Sequence, residues 1–331
     1  CMNDCITQAM GGTAVSAPEA SEQAASWRTA PEAIPDSEIT KTYDVDVAII
    51  GMGYAGLSCY RELAEEGKNV LVLEAMPRES WWTVGHDIGN INSDYLLSHG
   101  VPKVDEVEFV NNWMMQTHGK ANTALVMKFA KNSGSTVDWW LDKINPDTLA
   151  KTRIQFWPDN EYTVHQLNNG MHYYTGTLEW WENYWENPAS GEKNNNTAGQ
   201  LELKDLSCDN YNYVEENFSD NATALFGTKG VQLVIDGAKV TGVIAQDGDG
   251  NYLKINAKNG VVLAGGGFGG NKEMMDDLLP DIKRLFTKDE DFFAPFGRDG
   301  STIQMGVWAG GRLEGDISTM NFDSMAVPDY L

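Results

Sequence analysis

Three glycines and one carboxylate carry the clearest chemistry in this chain. Gly51, Gly53 and Gly56 stand in the run Gly51-Met52-Gly53-Tyr54-Ala55-Gly56, and Glu74 follows Gly56 by eighteen residues. Glycine at the first position permits a tight turn. At the second it lets a pyrophosphate approach the backbone, and at the third it lets a helix lie close on a strand. A helix opening at Tyr54 and Ala55 would present free N–H groups and a partial positive charge to phosphates. A carboxylate at Glu74, with Ala75 beside it, can bind both hydroxyls of a ribose. It would repel a 2′-phosphate, which favours FAD or NAD over NADP.

The elements that must position these residues can be read around them. Asp44 to Ile50 alternates and then turns fully apolar, as a buried parallel strand does. A helix follows through Leu57, Tyr60, Leu63 and Ala64, with Gly67 as its C′ residue. Asn69 to Leu73 is a second buried strand that ends at Glu74, which completes a βαβ dinucleotide unit.

Composition removes several other classes. The chain has 331 residues, 24 Lys+Arg against 48 Asp+Glu, and a formal charge of -24. With no long basic cluster, that balance argues against a nucleic-acid partner. No run of apolar residues is long enough for a transmembrane segment. Four cysteines are too few for a disulfide scaffold. Cys1 and Cys5 have no His nearby, and the five His are scattered singly, so no metal site is expected. No H-E-x-x-H, G-x-S-x-G or P-loop pattern occurs.

Cys1 has two readings: the residue that signal-peptide removal leaves on a bacterial lipoprotein, or an arbitrary fragment start. The first implies a lipid anchor at Cys1 and a cell-envelope or periplasmic location; the second leaves a cytoplasmic one open. Ser16 to Thr40, rich in Ala, Glu, Ser and Pro, fits a flexible tether, so residues 1–42 are expected to be one.

Further blocks carry a resemblance. Ser80-Trp81-Trp82-Thr83 and Gly89-Asn90-Ile91-Asn92 follow Glu74, with His86 and Asp87 between them. Later, Gly260 to Leu263 is an apolar strand that runs into Ala264-Gly265-Gly266-Gly267 and on to Gly270-Asn271. Gly297-Arg298-Asp299-Gly300 then precedes a helical stretch closing at Ala309-Gly310-Gly311. Together these resemble the FAD-dependent flavoprotein family of fumarate reductase, succinate dehydrogenase and the related enoate and urocanate reductases. The resemblance implies an α/β fold: a Rossmann-like FAD-binding domain with a parallel sheet and a β-meander. It also implies FAD contacts at Trp82, Thr83, Gly89, Val231, Ala264, Gly265, Gly266 and Asp299. Two departures stand out. The Trp pair replaces Gly and Asn, and Arg298 replaces a Gly. Asp299 reads equally as a helix N-cap, and the two roles are compatible.

Between the blocks, Val104, Val107, Val110, Trp113 and Met114 share a helical stripe. Leu125, Val126, Phe129 and Ala130 share another, ended by Gly134, and Val137, Trp140, Leu141 and Ile144 a third, stopped by Pro146. All three read as core faces. Residues 151–200 form a polar excursion rich in aromatics (Tyr173, Tyr174, Trp180, Trp181, Tyr184, Trp185). Two Asp-Gly turns, at Asp236-Gly237 and Asp247-Gly248, separate alternating runs and predict hairpins between Thr223 and Asn256.

The length suggests two domains, but the motif order assigns 43–311 to one FAD-binding domain and 312–331 to the start of a capping domain. The resemblance places the catalytic residues beyond Leu331, so none is named. It implies hydride transfer from FAD to the activated C=C bond of a small unsaturated acid. Electrons would come from an external donor: a cytochrome, an FMN protein or a quinol-linked partner. The alternatives are a truncated, non-catalytic FAD-binding fragment and an NAD-linked dehydrogenase.

Overall fold

The computed structural model describes residues 25–81, 83, 87–150, 152–156, 176–179, 197–283 and 298–314. It opens with β1 (Ile39–Ile50), α1 (Tyr54–Glu65) and β2 (Val70–Leu73). A mostly helical stretch follows: β3 (Asp87–Asn90), α2 (Asp94–Ser98), α3 (Glu106–Gln116), α4 (Thr123–Leu141), α5 (Pro146–Ala150), β4 (Arg153–Phe156), β5 (Gly176–Glu179) and α6 (Thr197–Phe218). The chain then returns to the main sheet through β6 (Ala222–Leu225), β7 (Lys229–Asp236), β8 (Lys239–Gln246) and β9 (Tyr252–Leu263). It continues with α7 (Lys272–Leu278), α8 (Pro280–Lys283) and α9 (Ser301–Trp308).

The main sheet runs β6-β2-β1-β9-β8-β7. Its first four strands are parallel and its last three antiparallel. The expected parallel sheet and meander are therefore one continuous sheet, joined by β9. The first half of β9 pairs with β8, and its full length pairs with β1. A small antiparallel sheet, β3-β5-β4, lies apart.

Side-chain alternation on β1 and β2 sorts the core into two layers. Ile49 and Val72 pack with Leu57, Tyr60 and Val214 beneath α1 and α6. Ile50 and Leu71 face the other way, with Val243, Ile255 and Met305. Leu57 and Tyr60 are fully buried. Burial of an apolar side chain of that size is worth roughly 1.5–3 kcal/mol. The α1 helix ends as predicted: Gly67 takes φ +67°, its N–H bonds Ala64 O, and the Lys68 N–H bonds Leu63 O. This double bond satisfies the last carbonyls of the helix.

Four expectations need correction. The segment read as a tether to residue 42 is docked from Ala25 onward. Trp27 is buried; its Nε1–H donates to Asp277, while its carbonyl accepts from Trp308 Nε1. Arg28 pairs with the same Asp277 at 2.8 Å, and residues 39–42 already belong to β1. Gly134 does not end a helix, because α4 runs through it to Leu141. A Cβ there would stand 2.5 Å from Ile91 O, so this glycine lets α4 lie against the backbone after β3. Pro146 opens α5 instead of stopping the previous helix, as suits a residue with no N–H to donate. Finally, Val107, Trp113, Leu125 and Phe129 are exposed. The buried faces of α3 and α4 are set by their mutual contact through Phe109, Val110, Val126 and Ala130. Trp113 and Phe129 instead stack on the rim with Phe109.

Candidate FAD-binding site

The site begins with register. Ile50 is the partner of both Leu73 and Leu263. Gly51, Glu74 and Ala264 are thus the first residues past three adjacent parallel strands. Hydrogen bonds hold them level: Gly51 N–H to Leu73 O at 2.8 Å, Ala264 N–H to Ile50 O at 2.8 Å, and Glu74 N–H to Leu225 O at 2.9 Å. The carboxyl edge of such a sheet is where ligands bind in open α/β folds.

The glycines on this edge divide by what forbids a side chain. Gly51 has φ +92°, and a Cβ on it would lie 2.5 Å from Ala264 O. A Cβ on Gly56 would stand 1.8 Å from Gly51 O, and one on Gly265 would strike Thr302 at 2.5 Å. The protein itself requires these three. Gly53 is different. Its φ is -71°, open to any residue, and no atom lies within 4 Å of a Cβ there. Neither conformation nor packing of the protein explains it. It also precedes the first turn of α1, whose N–H groups have no side-chain cap. A phosphate-bearing ligand accounts for both facts.

The remaining predicted residues fall around this edge. Tyr54 and Ala55 begin α1, and Ala75 is exposed just past Glu74. The Glu74 carboxylate accepts from Met52 N–H at 2.9 Å and Met76 N–H at 2.8 Å, which holds it against the glycine turn. Val231 sits where the β7–β8 register skips from Gly230 to Gln232. It has no register partner, so a bulge sets its backbone apart from the ladder. Gly266 takes φ +82° in an uncrowded turn.

Asp299 accepts from Ser301 N–H at 2.9 Å, as a cap on α9, and pairs with Lys229 Nζ at 2.6 Å. Partial burial raises its pKa, but the bonds from Lys229 and Ser301 outweigh this and hold it below the ordinary carboxylate value. Thr83 is buried and hydrogen-bonded to Ser207 of α6. Gly89 lies on β3 and lines a cavity of about 510 Å³ with Tyr54, Ala55, Ile88 and Trp140. Trp82 and His86, the aromatic cluster at 173–185 and most of the stretch read as the start of a capping domain lie outside the described residues.

Sequence reasoning missed several supports. Trp81, read only as a departure from the family pattern, is buried, and its Nε1–H donates to Met52 O at 3.0 Å. It therefore braces the glycine turn from below. Asn271 caps α7 through Met274 N–H and donates to Asp299 O at 3.0 Å, tying the glycine run after β9 to the Asp299 turn. Lys229 had no sequence signal beyond its position at the start of β7. Helix α6 went unread altogether. It carries Asn210, which accepts from the buried Arg61 of α1 at 2.8 Å, and Glu215, which accepts from Tyr60 at 3.0 Å. Burial and Glu215 together push the Tyr60 phenol pKa well up.

The FAD binding domain family matches residues 46–322. The chain belongs to that family. Its cofactor is FAD, and the residues at the strand ends fit that group: an uncapped helix N-terminus, an open Gly53, a carboxylate at the second strand and a bulged Val231. Among curated proteins the FAD-binding chain is 22% identical to NADH:acrylate oxidoreductase of Vibrio harveyi, over 86% of this chain and 31% of that protein. It is 23% identical to NADH:fumarate oxidoreductase of Klebsiella pneumoniae, over 75% of this chain and 23% of that protein. A shorter match, 32% identical over 28% of this chain and 12% of its relative, is to urocanate reductase of Eggerthella lenta. The chain thus spans well under half the length of each of these relatives. Among solved structures, a 3-ketosteroid-delta4-(5alpha)-dehydrogenase from Rhodococcus jostii aligns with TM-score 0.60, at 19% identity, over 83% of this chain and 56% of that one. A flavocytochrome c3 fumarate reductase in its open conformation aligns with TM-score 0.56, at 18% identity, over 82% and 41%. Both share the fold.

Proposed function

We propose that this chain is the FAD-binding part of a reductase acting on the activated C=C bond of a small unsaturated carboxylic acid. The observation that carries the reading is the level row Gly51, Glu74 and Ala264, with Gly53 left open above it. The names of the relatives support the substrate class: acrylate, fumarate and urocanate are all unsaturated acids.

When bound, FAD supplies hydride to such a bond. The residues of this chain would hold it. The N–H groups at the start of α1 would hold the pyrophosphate, Glu74, kept in place by the Met52 and Met76 amides, would hold the ribose, and the Val231 backbone would hold the adenine. Asp299 and the Gly265–Gly267 turn would supply further contacts to it. Trp81, Ser207 and Asn271 keep these groups in place. Electrons would come from an external donor. Among the described residues no helix is long and apolar enough to cross a membrane.

The test uses the purified full polypeptide. It should release FAD on denaturation. Its flavin, photoreduced without oxygen, should be reoxidised by fumarate, acrylate or urocanate and not by succinate or propionate. Binding of NAD with no binding of FAD would overturn the reading.

A further inference from the structure

The strap that precedes β1 joins two helices that both reach the strand-end edge. Trp27, 4% exposed, stands between them. Its Nε1–H donates to Asp277, the last residue but one of α7, at 2.9 Å. Its carbonyl accepts from Nε1–H of Trp308, the last residue of α9, at 2.9 Å. Arg28 covers the Trp27 ring and donates to the same Asp277. Ser26 Oγ–H donates to Glu273, also on α7, at 2.7 Å.

At their opposite ends the same two helices hold the glycine run after β9. Asn271, the N-cap of α7, donates to Asp299 O at 3.0 Å, and Asp299 caps α9 through the Ser301 N–H. Gly270 N–H bonds Arg298 O at 2.8 Å, and Gly300 N–H bonds Gly267 O at 3.1 Å. A Cβ on Gly300 would strike Met274 of α7, and one on Gly265 would strike Thr302 of α9. The run Gly265 to Gly270 is therefore fixed by where α7 and α9 stand. It adjoins the α1 glycine turn directly, since a Cβ on Gly51 would lie 2.9 Å from Gly265 Cα. The two helices make one frame, closed at the site by Asn271 and Asp299 and at the far end by Trp27.

We propose that Trp27 is a positioning residue for the cofactor: its docking sets the Gly265–Gly270 run and the Asp299 turn, so that docking of the strap and binding of FAD strengthen each other. This rests on the FAD reading above. Coupling of this kind is reciprocal. Whatever factor the docked strap adds to FAD affinity, FAD adds to strap docking.

The experiment reads both directions, well below the melting temperatures. The sequence has no Lys or Arg before Arg28, so trypsin cutting after Arg28 releases residues 1–28 and reports strap opening. Cleavage of a segment that opens and recloses quickly tracks its open population. The wild-type chain should be cut about tenfold more slowly once saturated with FAD, and Trp27→Ala should bind FAD about tenfold more weakly. In Trp27→Ala the cut should be fast and indifferent to FAD. Phe109→Ala, in the core between α3 and α4, is the control: it loses stability but should keep wild-type FAD affinity. Equal FAD affinity in Trp27→Ala and wild type, or a wild-type cut that FAD does not slow, would overturn the proposal. So would an equal loss of affinity in Phe109→Ala, which would make the effect one of stability alone. If Trp27→Ala does not fold, Trp27→Phe, which keeps a ring and loses the indole bond to Asp277, is read the same way with a smaller loss expected. A wild-type chain that binds no FAD would overturn the FAD reading itself, which separates the two failures.

Discussion

Two groups of glycines sit within one site and answer to different constraints. At the floor, where α1 and α9 lie against the strand ends, Gly51, Gly56 and Gly265 are forced by neighbouring atoms of the protein. At the rim, Gly53 and Gly267 have nothing within 4 Å of a Cβ. The floor is a folding requirement and the rim a ligand requirement. A glycine motif in sequence shows both at once and cannot separate them.

The largest effect expected from breaking this contrast is at the floor. Gly56→Val would set a side chain into the Gly51 carbonyl, and a loss above about 4 kcal/mol is expected, enough to prevent folding. Soluble yield and denaturant unfolding check it; a stable variant would mean that the floor is not closed. Next comes the clamp behind the floor. Trp27→Ala should cost about 3 kcal/mol through lost burial and the lost indole bond to Asp277, whereas a true tether would show no change in melting.

At the rim the sign reverses. Gly53→Ser supplies a favoured helix N-cap, so the cofactor-free protein should be at least as stable as wild type. FAD affinity should nevertheless fall by about tenfold or more, a change of about 1.4 kcal/mol. Equal losses in stability and affinity would merge rim and floor into one class.

The smallest effect concerns Asp299. Its folded-state pKa lies below the ordinary value of 3.8. It therefore stabilises the fold above that value, and the contribution is lost as pH falls through the lowered one. Both partners in its pair with Lys229 are about half exposed, so screening limits this to less than about 1 kcal/mol. Asp299→Asn should flatten the acid limb of stability against pH by no more than that, as measured by denaturant unfolding.

The parts legible in the sequence are those where chemistry and local pattern coincide. Gly51 to Glu74 reads correctly because each element is short, apolar and closed by a residue with its own signal, such as Gly67. The hairpins of the meander read correctly for the same reason, through their Asp-Gly turns. Helix α6 was missed because its buried positions, Leu206, Tyr211 and Val214, are spread among acids and amides. Its burial depends on Arg61 and Tyr60, some 150 residues away. The stripes on α3 and α4 were real, but which edge of each turns inward is decided by the other helix. Trp27 read as part of a tether because the two acids it and its neighbours dock on, Glu273 and Asp277, belong to a helix near the other end of the chain. Asp277 accepts from the Trp27 indole, and Glu273 accepts from Ser26.

The central strand also sets a timetable. The parallel neighbour of β1 on one side, β9, is made more than two hundred residues later. At synthesis rates of about 5–20 residues per second, that delay is roughly 10 to 40 s. Until Leu263 leaves the ribosome, the Ile49 and Ile50 edge of β1 stays open and no cofactor cradle exists. Nascent chains stalled before Tyr252 should therefore be cut readily by protease with or without FAD, and chains stalled well past Trp308 should gain protection from it. Early β1 is a surface that the cell must shield, and late β9 is the element that seals it.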